Sequence, residues 1–590
     1  MATSLPTLDP DAAARTAEIA ARRIELTYDY TRFPGIAMLP APPKWGHPDL
    51  TWAVQVGERL AEIAVNAARI DGRLSRMHPD HPDHHDFRTL LADLERGGAK
   101  AAFNALNDIV QGADDGVERA DELADYEAMF VSIPLPSMAK VFQEDRTFAE
   151  MRLAGPNPMM LHRVQSLPPH FQVTEADVTR ARSALDAQAI DTTDLDLASA
   201  LADGRAFLVD YASLKGAPTG TWAGGAKFLE APLALFITAG PDRVLLPVAI
   251  QVSQDPGPIL TPADGVRWAM AKTLVNVADG NIHQAAVHLG HTHLVMEACA
   301  IAMYRTLATA HPVSQLLSPH LEGTFYINDA AESTLAAPGG GVDKVMAPPI
   351  AASRAVAIQS VQTWSFSGTM LDADLRARGV DDPNTLPDYP YRDDARLVRA
   401  ALRDWVESYL RLWYPDDKAV LDDREIQAMF LELAAPDGGR IVGVPTIRGL
   451  RGLTDALTHI IFTGSAQHAA VNFPQLNVMA YAPAFPLAAY RAGPGPEETY
   501  ASWLALLPPL ALAQLQGALG QLLGSVFHTK LGRYEVPMFR HFAGDARTAG
   551  PLAALHARLD EVERIITARN QARPPYEYLL PSRIPQSINI

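Results

Sequence analysis

The stretch His283–Glu297, HQAAVHLGHTHLVME, constrains this chain more than any other. It sets His283, His288 and His293 at five-residue intervals, with His291 among them, inside an otherwise apolar run. An α-helix turns about 100° per residue, so side chains five apart diverge by roughly 140°. They converge only where the helix carries a wider π-type turn, a distortion found mostly at functional sites. Imidazole is the commonest side-chain metal ligand near neutral pH, so a convergent set predicts a buried metal site. The alternative is a plain core helix that buries a few histidines.

The rest of the chain limits what such a site could serve. Of 590 residues, 48% are hydrophobic and 20% charged, as in an ordinary soluble globular protein. A net charge of −18 excludes a general nucleic-acid or anionic-membrane surface. An anionic ligand must therefore be received by a local basic group, against the average field. The single cysteine, Cys299, excludes an intramolecular disulfide framework and fits a reducing compartment. The N-terminus, MATSLPTLDPDAAARTAEIAARR, lacks the basic start and continuous apolar core of a secretory signal, so a cytoplasmic location is expected. Trp503–Phe527 is long enough to span a bilayer, but Pro508, Pro509, Gln514, Gln516 and Gln521 suit it poorly to lipid. It reads as a long buried helix beginning at the proline pair.

Residues 1–130 read as a helical extension, with amphipathic helices at Asp11–Arg23 and Gly57–Met77 joined by a Pro-rich connector. His78, His81, His84 and His85 sit with Pro and Asp in a polar loop, read as solvated rather than metal-binding. Residues 131–590 form the main domain. Arg205–Tyr211, Ala234–Thr238 and Arg243–Val252 predict a small sheet or hairpins outside the helical body. From Pro262 the pattern is mostly helical, with loops at Ala336–Gly341 and Asp381–Asp394. The fold class is mainly α, with a long central helix and small β additions.

Two further features join the histidines. SAQHAAVNFPQ (Ser465–Gln475) places His468 and Asn472 four apart, on one helical face. The chain stops at Ile590 after SRIPQSINI, giving an apolar terminus with a free carboxylate. Together with His288 and His293 these offer three nitrogens, an amide oxygen and a carboxylate, a set suited to iron or manganese rather than to thiolate-rich structural zinc. HExxH is absent, which counts against a helix-borne metalloprotease site.

These motifs resemble the lipoxygenases. The family's His-x4-His-x4-His helix, with Gln after the first His, is matched by His283-Gln284, His288 and His293. Its His-Ala-Ala-Val-Asn-Phe-x-Gln motif is matched by His468, Asn472 and Gln475, and its chain end by Ile584–Ile590, with Gln586 in place of Asn. HPVSQLLSPHLEGTFYIN (His311–Asn328), RLAGPNPMM (Arg152–Met160) and DYPYRDD (Asp388–Asp394) fall in the expected order. The first 130 residues leave no room for the β-sandwich with which eukaryotic members often begin. The chain thus resembles the compact bacterial forms, whose N-terminal helices are expected to cover the pocket entrance.

The resemblance implies one non-haem iron (Fe2+/Fe3+), with manganese as the alternative, held by His288, His293, His468, Asn472 and the carboxylate of Ile590. His283 becomes a non-ligand. Gln284 and Gln475 are the hydrogen-bonding glutamines that link the metal shell to the substrate pocket. The implied reaction is dioxygenation of a polyunsaturated fatty acid by O2, through hydrogen abstraction by a ferric hydroxide. A same-fold hydroperoxide isomerase or lyase and a non-catalytic lipid binder are the alternatives. A monomer without nucleic-acid partners or an integral membrane segment is expected. By alignment Leu335, Val342 and Leu519 clamp the pentadiene, and Ala331 stands where Ala goes with S-hydroperoxides. Phe485 and Ala330 replace arginines found at the cavity base of plant enzymes and the entrance of animal ones, and Glu332 replaces the usual Arg after the stereochemical Ala. The substrate carboxylate must therefore find another base or stay at the solvent edge.

Overall fold

The computed structural model describes residues 3–46, 50–70, 99–106, 116–534, 542 and 545–590. The His78–His85 loop lies outside them. The centre of the molecule is one continuous helix, α over Val266–Ile282, π over His283–Leu294, and α again over Val295–Thr306. Both joins keep right-handed helical backbone, so the axis runs through without a break. Ala271, Leu274, Val275, Ala278, Ala300, Ile301 and Ala302 are all fully buried, on every side of it. A helix that is apolar all round belongs in a core, and the others pack around this one.

The π stretch fulfils the geometric condition set by the histidine spacing. With i→i+5 hydrogen bonding, residues five apart return to one face. The widened turn also needs room for its neighbour, the helix Ile350–Thr363. Gly290 supplies it: a Cβ there would stand 2.1 Å from Ser360 Oγ and 3.4 Å from the Ala357 carbonyl.

A second composite helix crosses the first. It runs α over Leu450–Phe462, π over Thr463–Gln467 and α over His468–Asn472, with a further π turn at Gln475–Met479. Leu510–Leu523 is a third buried helix, starting directly after Pro509 as the proline pair predicts. It ends at Gly524, short of Phe527, and Tyr500–Leu504 forms a separate short helix before the prolines. Among the described residues no helix is long and apolar enough to cross a membrane. The expected loop at Asp381–Asp394 is shorter than read, because Pro390 opens the helix Pro390–Leu410. Proline suits that first position, where its missing N–H has no intrahelical partner.

The strands form a four-stranded antiparallel sheet in the order His162–Arg163, Ala206–Asp210, Leu233–Ala239, Val244–Gln251. Its side chains alternate between two cores. Phe207, Val209, Ala234 and Phe236 join the main helical core, while Leu208, Leu235, Ile237 and Val248 pack with the helix Glu175–Asp186 in a smaller one. The sheet is therefore built onto the helical body rather than standing outside it.

The N-terminal extension is helical over Ala12–Glu25, Leu50–Arg69 and residues 99–106. Leu26, Phe33, Met38, Trp52 and Phe103 are buried in the same core as the central helix. The last residues form an extended strap through the interior, where Ile584, Ile588 and Ile590 are buried. Ile584 accepts from the Leu531 N–H at 2.8 Å, His320 Nδ1 donates to the Gln586 carbonyl at 2.9 Å, and Trp52 Nε1 donates to the Asn589 carbonyl at 2.6 Å.

Candidate metal centre

The two composite helices bring His288, His293 and His468 together. His288 Nε2 lies 3.3 Å from the Nε2 of both His293 and His468, and one ligand atom of each lies within 4.8 Å of the others. The tautomer of His293 follows from its other nitrogen. Nδ1 donates to Asn328 Oδ1 at 2.8 Å, so Nε2 carries a lone pair aimed at the group. Burial holds His293 at a pKa of about 4, against the help of Asn328. Burial, reinforced by mutual repulsion of the rings, pushes His288 and His468 well below the ordinary imidazole value. All three are neutral at pH 7.

Neutral nitrogens facing one another at this distance need a proton or a cation between them. A metal with nitrogen bonds of about 2.1 Å separates its donors by about 3.0–3.4 Å, depending on the bond angle. The observed 3.3 Å fits that range.

A chain of amides leads away from the group. Gln284 Nε2 donates to Gln475 Oε1 at 2.8 Å, and Gln475 Nε2 donates to Asn472 Oδ1 at 2.8 Å. Asn472 Nδ2 donates to the Leu523 carbonyl at 2.8 Å, which fixes the amide orientation and leaves Oδ1 one free lone pair. His283 is engaged otherwise. Its Nε2 donates to the Val471 carbonyl at 2.7 Å and ties the central helix to His468–Asn472. His291 is half-buried and outside the group.

Two residues that the sequence reading did not single out hold His293. Asn328 Nδ2 donates to the His293 carbonyl at 3.0 Å and to Glu297 Oε2 at 2.8 Å. Glu297 also accepts the Leu39 N–H at 3.0 Å. Burial pushes the Glu297 carboxyl up to about 7, partly offset by these two donors. The sequence signal was present: a lone acid four residues after His293 in an apolar run, on the same helical face.

A partly open cavity runs along the group, enclosing about 670 Å³ when the solvent at its mouth is included. Its lining includes His288, His293, Gln284, Ile590, Ala331, Leu335 and Val342. A second, narrower chamber shares Gln284, Val342, Met346 and Leu523 with it and reaches Gln475 and Leu519. Phe103, from the N-terminal extension, is part of the outer chamber's lining. Phe485 lines neither chamber: it is fully buried, against Gly280 and beneath the Arg152 guanidinium. An apolar tunnel with a histidine group and an amide chain in its wall suits a long hydrocarbon and a redox metal.

The lipoxygenase family profile matches residues 117–574. The chain belongs to the lipoxygenase family. It is 41% identical to a linoleate 9/13-lipoxygenase of Pseudomonas aeruginosa, over 92% of this chain and 79% of that protein. It is 34% identical to the human polyunsaturated fatty acid lipoxygenase ALOX15B, over 76% of this chain and 66% of that longer relative. A solved lipoxygenase in complex with arachidonate superposes with a TM-score of 0.84 at 27% identity, covering all of this chain and 84% of that one. Lipoxygenases are metal-dependent dioxygenases, and among the described residues His288, His293 and His468 form a group able to hold a metal ion.

Proposed function

We propose that this lipoxygenase adds O2 to polyunsaturated fatty acids with one non-haem iron. The iron would be held by Nε2 of His288, His293 and His468, Oδ1 of Asn472 and the carboxylate of Ile590. The observation that carries the reading is the convergence of three neutral histidines on the wall of an apolar tunnel. The likenesses to a linoleate enzyme and to an arachidonate complex support the substrate class.

Bound iron would supply the one-electron oxidation that a bis-allylic C–H bond requires. The chain's own residues do the rest. Asn328 and Glu297 keep His293 in the Nδ1–H tautomer, so its Nε2 stays available. Gln284 and Gln475 orient the Asn472 amide and tie it to the substrate wall. Leu335 and Val342 in the outer chamber and Leu519 in the inner one confine the pentadiene and exclude water. The Ala331 methyl, in the lining near the histidines, blocks one approach of O2 and selects the S-hydroperoxide. Through Phe103, the described part of the N-terminal extension serves as a cover for the tunnel.

The test is elemental analysis for Fe and Mn together with linoleate turnover, followed by oxygen uptake, conjugated-diene absorbance and chiral chromatography. Stoichiometric iron, oxygen uptake and mainly S-hydroperoxide are expected. No metal and no diene would overturn the reading, stoichiometric manganese would replace the iron assignment, and mainly R product would remove Ala331 from its role.

A further inference from the structure

Among the described residues, and apart from histidine, one charged side chain lines the outer chamber: Arg354, on the helix Ile350–Thr363. Its Nη2 donates to Glu332 Oε1 at 2.5 Å, and its guanidinium lies 4.4 Å over the Phe33 ring. Glu332 is shared, because Arg32 Nε donates to its other oxygen at 2.6 Å. Arg32 pairs with Asp329 at 2.8 Å, and Lys100 reaches the same carboxylate at 2.7 Å. Arg32, Lys100 and Arg354 thus cluster around Asp329 and Glu332, with the buried Glu297 carboxyl also acting on Arg32. The chain as a whole carries −18, so the rim gathers cations against the average composition.

The inner chamber differs. Among the described residues its lining includes Leu487, Leu519, Val345, Met479 and glutamine amides, with no cation. Leu487 and Leu519 are 4% and 6% exposed, whereas the Arg354 side chain is 22% exposed. A charged headgroup is least penalised at the hydrated rim, and a hydrocarbon tail gains most in the dry chamber.

We infer that Arg354 receives the carboxylate of the fatty-acid anion, which takes the place of Glu332 on its Nη2 edge. The acid then lies with its carboxylate at the rim beside the N-terminal extension and its methyl end in the inner chamber. Glu332 keeps Arg32 as its partner when Arg354 turns away, so the exchange leaves no buried carboxylate unpaired. The planar guanidinium matches a carboxylate in two parallel hydrogen bonds, which fixes direction as well as affinity. Arg354 acts here as a positioning residue, and the inference rests on the proposed oxygenation of free fatty acids.

The test is binding to the full chain of stearate, which has no pentadiene to oxidise, beside stearyl alcohol, by fluorescence displacement. Arg354→Gln should weaken stearate by about tenfold, the worth of one or two charge-assisted hydrogen bonds, and leave the alcohol unchanged. Arg354→Lys should restore part of the loss, and Glu332→Gln, by freeing the guanidinium, should tighten stearate. In turnover, Arg354→Gln should raise KM for linoleate more than for methyl linoleate. Equal loss for acid and alcohol, or unchanged binding of the acid, would overturn the inference. Stearate binding does not depend on turnover, so the two readings fail separately. Acid-selective loss in a protein that leaves linoleate unoxidised refutes the oxygenase alone, and unaltered binding in an active enzyme refutes Arg354 alone.

Discussion

The central helix and the N-terminal extension wall the same cavity, but they are held in place by different forces. The helix is buried among alanines, leucines and isoleucines on every side, and its π turn fits against Ser360 only because residue 290 has no Cβ. The extension contributes the apolar plug Phe103, but its rim is fastened by exchangeable ion pairs through Arg32 and Lys100. Close packing fixes the histidines to a fraction of an ångström and tolerates no added volume. Paired charges fasten the extension's rim, and in the proposed exchange at Arg354 a ligand's own charge rearranges them. The two regions are joined where Leu39 N–H donates to Glu297, beside the histidines, and where Arg305, at the far end of the helix, donates to the Arg23 and Leu26 carbonyls.

The contrast can be broken most severely at the buried strap. Adding one glycine after Ile590 moves the carboxylate away from the three histidines, and oxygen uptake with linoleate should fall to background. Full activity in that variant would remove Ile590 from the ligand set. Next comes Gly290→Ala. The new methyl meets Ser360 Oγ, so a loss of about 1–3 kcal/mol is expected in chemical denaturation, partly recovered by adding Ser360→Ala. A neutral Gly290→Ala would mean that the π stretch is held some other way.

Acid should reach the packed region through its buried imidazoles. His320 is held at about 4 by burial, against 6.5 when unfolded, so the folded state favours its neutral form. Its contribution is fully present above pH 6.5 and is lost as pH falls through 4, an effect of about 3 kcal/mol. Denaturation at pH 7 and at pH 4.5 should show it, and His320→Gln, which does not titrate, should flatten the difference. Glu297→Gln tests the junction. A glutamine offers one acceptor where the carboxylate offers two, so it loses either Leu39 or Asn328. About 1–2 kcal/mol should go, with faster proteolysis of the extension. The smallest effect is expected at the rim. Lys100 is half-exposed, so Lys100→Ala should cost at most about 1 kcal/mol and nothing in high salt.

The same contrast explains what could be read in advance. The spacing of His283, His288 and His293 implied a π turn before any contact was visible, because helical geometry allows no other convergence. His468 and Asn472 share a face for an equally local reason, and the alternating strands read correctly to within a residue or two. Asn328 was noticed only as the end of a motif, since its bond to His293 spans 35 residues. Arg354 and Phe103 look like an ordinary surface arginine and an ordinary core aromatic. Their place in the tunnel depends on how distant segments pack, which periodicity does not carry. Phe485, placed in the pocket by resemblance, lies behind its wall for the same reason.

The account stands on the three histidines as the metal's nitrogen ligands. Elemental analysis of the purified wild-type chain and of His468→Ala, with folding checked by circular dichroism, tests that most directly. One iron per chain in the wild type and none in the folded variant is the predicted result. A full equivalent retained by His468→Ala would contradict it.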